Sequence, residues 1–165
     1  MAKEQSFDVV STVDMQEVDN ACQQAKKEVV NRYDLKDSGA SLNLDKQAKT
    51  ITVQAPADFV AGQVIDILQS KLVKRGVDLG AVQFGASEAA SGGTVRRVAK
   101  IIEGIDRDTA GTINKDIKAQ KYKVKVAIEG DKLRVSSPSR DALQEVISFL
   151  KGQDYGQPLQ YVNYR

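Results

Sequence analysis

The 165-residue sequence has no histidine and a single cysteine, Cys22. That removes the usual zinc ligand sets, the Ser-His-Asp and Cys-His nucleophile pairs and the commonest general base. No catalytic residue, metal or cofactor is expected on this reading. The side chains left with chemistry to offer are cationic. Lys121, Lys123 and Lys125 alternate with Tyr122, Val124 and Val126, the period of a strand with one buried face. Glu129-Gly130-Asp131-Lys132 reads as a turn, and Leu133 to Ser137 as the returning strand of a β-hairpin. Lys121, Lys123, Lys125, Arg134 and Ser136 then share a face that holds four cations and no carboxylate. Such a face is either an edge guarded against aggregation or a collector of phosphate, which arginine grips with a two-pronged hydrogen bond. Arg97 (or Arg96) and Lys100 add positive charge on another predicted strand.

The elements that must position these groups follow from patterning. Phe7 to Val13 is rich in β-branched residues and reads as a strand. Asp14 can cap a helix, with Glu17 three residues on and an apolar stripe of Val18, Cys22, Ala25 and Val29 ending near Arg32. On that stripe Cys22 is a core residue rather than a reactive thiol. Strands at Ser41–Leu44 and Thr50–Ala55 precede a helix opened by Pro56, with Val60, Val64, Ile65, Ile67, Leu68, Leu72 and Val73 on its buried side. Gly76 stops that helix, and Leu79 to Phe84 returns as a strand. Ser87 to Gly93 is small and polar and reads as the break between halves. The second half offers a strand at Thr94–Gly104, a helix capped by Asp106 and running to about Gln120, the hairpin, a helix from Asp141 to Lys151 and a strand from Leu159 to Tyr164.

The halves repeat. Ile51–Leu68 lies over Leu133–Leu150 at a constant offset of 82 residues, matching Val53 to Val135, Pro56 to Pro138 and Leu68 to Leu150. The expected fold is α+β, a tandem of two ferredoxin-like βαββαβ domains over residues 1–90 and 91–165. Each sheet would have one face under two helices and one open. The order is shared with RNA-recognition modules, but the third strands, TITVQA and KLRVSS, lack the aromatic residues that stack bases there. Tyr161 and Tyr164 are three apart on the last strand and are expected on opposite faces, one in the core and one beside the cations. Arg75-Gly76-Val77-Asp78 fits an R-x-x-D regulatory pattern, yet reads as an ordinary helix-end turn.

The charge is uneven. Residues 1–90 hold 10 Lys and Arg against 13 Asp and Glu, a balance of −3, and residues 91–165 hold 14 against 9, a balance of +5. The second half is the one suited to an anion. The start of the chain has no long apolar run, and one cysteine makes no internal disulfide, so a cytoplasmic protein without a membrane partner is expected.

Three runs together resemble the YajQ family of small bacterial nucleotide-binding proteins: Ser6-Phe7-Asp8-Val9-Val10, Arg32-Tyr33-Asp34-Leu35-Lys36-Asp37-Ser38 and Pro158-Leu159-Gln160-Tyr161-Val162-Asn163-Tyr164-Arg165. The resemblance covers the whole chain. It departs from the usual R-[FY]-D-F-K-G-[ST] pattern at Leu35 and at Asp37, which places a negative charge where the family has glycine. It implies two RNA-recognition-like ferredoxin domains with their N-terminal strands exchanged, residues 14–103 forming one domain and 1–13 with 104–165 the other. It also implies a non-catalytic protein binding a nucleotide, with cyclic di-GMP the most concrete ligand, and influencing gene expression through a transcription-related partner. The expected nucleotide-binding residues are Lys121, Lys123 and Arg134 with Arg97 or Lys100, Tyr164 for stacking, and Arg32, Tyr33, Lys36 and Ser38 carried over from the family motif. The other readings are RNA or DNA binding by a basic sheet face, and a protein-interaction module.

Overall fold

The computed structural model describes residues 3–165. Its elements in order are β1 (Gln5–Val10), α1 (Met15–Asn31), β2 (Ser41–Asp45), β3 (Thr50–Ala55), α2 (Asp58–Lys74), β4 (Val82–Phe84), β5 (Glu88–Ala89), β6 (Val95–Ile101), α3 (Arg107–Ala119), β7 (Lys125–Glu129), β8 (Lys132–Ser137), α4 (Arg140–Lys151) and β9 (Gln160–Val162). They form two antiparallel sheets with four helices, divided between two compact units: residues 13–102, and residues 3–12 with 103–165.

In the unit of residues 13–102 the sheet order is β2-β3-β6-β4, with β5 pairing β6. Asp14 caps α1 by accepting the N–H groups of Gln16 and Glu17, which satisfies donors that have no partner inside the helix. Val18, Ala21, Cys22, Ala25 and Val29 bury the inner face of α1 in a core with Val64, Ile65, Leu68 and Leu72 of α2 and Leu42, Ile51, Val53, Ala99 and Ile101 of the sheet. Each valine, leucine or isoleucine among them contributes about 1.5–3 kcal/mol. Val73, expected in this core, is 58% exposed, because one residue past Leu72 turns the side chain about 100° around the helix. The Ser87–Gly93 stretch, expected as a plain connection, is a reversal: Glu88 and Ala89 pair with Arg96 and Val95, and Gly92 and Gly93 turn the chain at φ of 74° and 77°.

In the other unit the order is β7-β8-β1-β9, and Phe7, Val9, Leu133 and Val135 close a core with Ile113 and Ile117 of α3 and Val146, Ile147 and Leu150 of α4. Asp106 caps α3 at Thr109, and Ser139 caps α4 at Ala142. The hairpin turns through Gly130 and Asp131, between paired Glu129 and Lys132. Its first strand is shorter than the alternation predicts: Lys121 takes a left-handed φ of 59°, and pairing begins only at Lys125. The Ser137 hydroxyl donates to the Lys123 carbonyl (2.8 Å), closing the gap between residue 123 and the end of β8.

β9 contains a second irregularity. Asp8 stands opposite Val162, but Ser6 pairs with Arg165 through two backbone hydrogen bonds of 3.3 and 3.0 Å, so β9 carries one extra residue there. Asn163, at φ 56°, absorbs it as a β-bulge. The bulge resets the alternation, and the rings of Tyr161 and Tyr164 lie 6.1 and 6.2 Å from that of Phe7. The two tyrosines therefore flank the same core ring instead of facing opposite sides. At Gly104 the chain enters this unit at φ 81°, its N–H donating to the Ser11 carbonyl (2.6 Å), where a Cβ would come within 3.1 Å of an Asp131 carboxylate oxygen. Among the described residues no helix is long and apolar enough to cross a membrane.

Candidate functional site

On the helix-free face of the β7-β8-β1-β9 sheet, pairing places Lys125, Ala127 and Glu129 beside Ser136, Arg134 and Lys132, and these beside Ser6 and Asp8. Asp8 is 1% exposed and lies at the centre. It accepts from Arg134 Nε (3.1 Å), Lys132 Nζ (3.3 Å) and Asn163 Nδ2 (2.8 Å), and Arg134 reaches Glu129 as well (3.6 Å). Burial on its own pushes the Asp8 carboxyl up. The hydrogen bonds from Asn163, Arg134 and Lys132 outweigh it and hold the group at about 2. The face expected to be free of carboxylates thus holds two, Glu129 and a residue of β1 that lies far away in sequence, and they pair with Lys132 and Arg134. Arg134 is already engaged.

Lys121 and Lys123 precede β7, outside its paired residues; with Lys125 they are exposed and have no ion-pair partner among the described residues. Arg97 and Lys100 belong to the other sheet and point to opposite sides of β6. Lys100 stands between Thr50 and Gln83 on the open side, with Val98 and Arg96, and Arg96 is bound to Glu88 (3.2 Å). Arg97 lies across from buried Val53, donates to the Gly85 carbonyl (3.1 Å) and caps the Phe84 ring at 5.7 Å. It is a local clamp on the strand end.

The Arg32–Ser38 loop is anchored by Leu35, which is 1% exposed. Arg32 forms a two-pronged pair with Asp34 (3.1 and 3.2 Å) and also meets Glu28 (3.6 Å), and these hydrogen bonds hold the Asp34 carboxyl below its ordinary range. Ser38 donates to the Leu35 carbonyl (2.7 Å) and accepts from the Ala40 N–H (3.2 Å), so both serve the turn. Tyr33, 90% exposed, and Lys36, whose Nζ lies 5.3 Å from that ring, face outward, and Asp37 beside them is exposed as well. Arg75-Gly76-Val77-Asp78 is structural: Arg75 bonds Glu17 (3.0 Å), Gly76 reverses at φ 79°, and Asp78 accepts from the Gly80 N–H (2.8 Å).

Tyr164, displaced by the bulge, borders a cleft of ≈ 380 Å³ with Arg165, Gln5 and Ser6 on the strand side and Arg140, Leu143 and Gln144 of α4 opposite. Tyr164 is 61% exposed, and neither Arg140 nor Arg165 has an ion-pair partner among the described residues. An open aromatic ring, two uncommitted guanidinium groups and two amide side chains form a set able to take a base face, phosphates and base-edge hydrogen bonds. Arg140 and Gln144 escape sequence reasoning, because nothing local says that the first turn of α4 stands beside the end of β9.

Two of the three characteristic runs, Ser6–Val10 and Pro158–Arg165, lie side by side as β1 and β9 and end at this cleft. The family model described as nucleotide-binding protein YajQ-like matches residues 5–165. A nucleotide-binding protein of Desulfitobacterium hafniense is 50% identical over 165 residues, all of both chains. One from Thioalkalivibrio sulfidiphilus is 49% identical over 160 residues, 97% of this chain and 98% of its own length. One from Synechococcus elongatus is 47% identical over the full length of both. With its whole length matched at such identity, the chain belongs to the YajQ-like nucleotide-binding protein family.

Proposed function

We propose that the protein binds a nucleotide without turning it over, and that the cleft beside Tyr164 receives it. The Tyr164 ring takes a base, Arg140 and Arg165 take phosphate, and Gln5 and Gln144 meet the base edge. One observation carries the placement: these two arginines have no ion-pair partner among the described residues, whereas Arg32 and Arg134 are already bound to carboxylates. The names of the relatives support the ligand class. The non-catalytic reading draws on Asp8, whose low affinity for protons and enclosure by three donors make it a poor general base.

The finer picture is a cytoplasmic effector of cyclic di-GMP that influences gene expression through a protein partner. Each unit is a ferredoxin-like domain whose first strand comes from the other repeat: β6 takes the place of a first strand beside β3 and β4, and β1 does so beside β8 and β9. A second reading, single-stranded RNA or DNA, is favoured by the exposed Tyr33–Lys36 pair and by the open face bearing Thr50, Thr52, Gln54 and Lys100.

Calorimetric titration with cyclic di-GMP, GTP and a short single-stranded RNA at two salt concentrations separates these readings. Saturable dinucleotide binding, weakened about tenfold or more by Arg140→Ala or Tyr164→Ala with the melting temperature unchanged, is the expected result. Unchanged affinity in both variants rejects the cleft. RNA binding with a log–log salt slope near −0.7 per phosphate contacted replaces the dinucleotide reading.

A further inference from the structure

β7 is the outer strand of its sheet, so one row of its backbone N–H and C=O groups faces away from β8. Beside that free edge runs a groove of ≈ 370 Å³, lined by Ile117 and Lys118 from the last turn of α3 and by Tyr122, Val124, Lys125 and Val126. Its floor is apolar: Ile117 is buried, Val124 and Val126 pack on the core, and Ile128 extends the same row at 42% exposure. Its lips are basic. Lys118 and Lys125 flank it, Lys121 and Lys123 precede it, and none of the four has an ion-pair partner among the described residues.

We propose that this edge is a docking site for an extended acidic segment of another protein, which adds to the sheet as a strand alongside β7. Backbone pairing supplies the register, and alternation in the guest sets side-chain placement. Apolar guest residues lie along Val124, Val126 and Ile128, and carboxylates on the opposite face meet Lys123 and Lys125.

Three observations favour this occupant. Lysines on an edge also deter aggregation, but the corresponding outer strand of the other sheet, β2, reads SLNLD and has no lysine, so edge protection in this fold does not demand them. The groove beside β2, formed by Lys26, Val29, Val30 and residues 40–43, has a single cation. A second copy pairing β7 antiparallel about Ala127 would set Lys125 opposite Glu129, and concentration-dependent movement of the 124–128 signals without peptide would overturn the proposal in its favour. Single-stranded nucleic acid is disfavoured because the one aromatic residue of the groove, Tyr122, is partly buried against the core, unlike the 61% exposed Tyr164.

The test uses the full-length protein labelled with nitrogen-15 and a short blocked peptide of alternating glutamate and valine. Its controls are the same peptide with lysine for glutamate, and a short oligouridine RNA. Support is saturable movement of the 124–128 amide signals with the acidic peptide, slowed amide exchange in β7, and no movement in the lysine control or in β2. The combination Lys121→Ala, Lys123→Ala and Lys125→Ala, which keeps a dispersed spectrum, is expected to weaken binding about tenfold. Movement with RNA but not with the acidic peptide, equal movement with the lysine peptide, equal movement in β2, or no movement each overturns the proposal. Signals from residues 140–144 and 164–165 report the Tyr164 cleft independently, so failure at one site leaves the other standing.

Discussion

At the constant offset of 82 residues, Ile51, Val53, Val64 and Leu68 of one unit stand where Leu133, Val135, Val146 and Leu150 stand in the other, and all eight are at most 1% exposed. On the opposite side of the same strands the correspondence breaks down. Thr50 and Thr52 answer to Lys132 and Arg134. The residue paired with Thr52 is Val98, while the residue paired with Arg134 is Asp8. One sheet covers its middle with a valine between threonines, and the other with a carboxylate between two cations. Close packing ties the core positions to volume and shape. The open face is held to a different rule: its polar groups must satisfy one another as a set.

The sharpest way to break that comparison is to leave the set incomplete on its costly side. Lys132→Ala with Arg134→Ala strands a carboxylate that is 1% exposed, with Asn163 its only remaining side-chain donor. The expected loss is about 3–5 kcal/mol in the urea unfolding of this unit. Asp8→Asn is milder, about 1–2 kcal/mol, because the two cations it releases are 32% and 27% exposed and can turn toward water. Equal losses in the two experiments would mean that the buried carboxylate is not what makes the cluster costly to dismantle.

How far this was legible in the sequence depended on distance along the chain. The caps Asp14 and Asp106, the strand Thr50–Ala55 and the stripe Val18–Cys22–Ala25–Val29 are set by neighbours a few residues away, and the structure has them where the pattern predicts. Pairing of β1 with β8 joins residues more than a hundred positions apart, so the carboxylate beside Arg134 had no local signature. Lys121 and Asn163 failed differently. Each takes a positive φ that its residue type permits without announcing, so alternation was counted straight through a turn and through a bulge. The second slip moved Tyr164 from the open face to the cleft with Arg140, and with it the candidate site.

Acid titration separates the two sheets more gently. Asp8 is lowered from its ordinary 3.8 to about 2, so its contribution is fully present above the unfolded value and is lost as pH falls through the folded one. The unit containing β1 is therefore expected to lose about 2 kcal/mol between pH 4 and 2, and Asp8→Asn to lack that component. An identical acid limb in both proteins would show that Asp8 is not held in its charged form by the fold. Smaller again is Asn163→Gly. Glycine keeps the left-handed bulge, so Tyr164 stays at the cleft and nucleotide affinity is unchanged, while loss of the 2.8 Å bond to Asp8 lowers stability by about 1 kcal/mol.

The smallest expected effect belongs to the most extensive change. Asp8→Val, Lys132→Thr and Arg134→Thr together install on β1 and β8 the trio that β6 and β3 already carry as Val98, Thr50 and Thr52. Taken one at a time, replacement of the cations leaves a buried charge short of partners, so the single effects are large and share one cause. Made together, the changes remove the charge along with its partners, and a valine on a central strand recovers apolar burial. The triple variant is expected to unfold within about 1 kcal/mol of the parent, far from the sum of its parts, which is the signature of residues coupled in one network. Asn163 loses its acceptor but lies near the end of the strand and is exposed to water. If the triple variant falls as far as Lys132→Ala with Arg134→Ala, the two faces are not interchangeable solutions, and the ion cluster holds β1 in place in a way that packing alone does not.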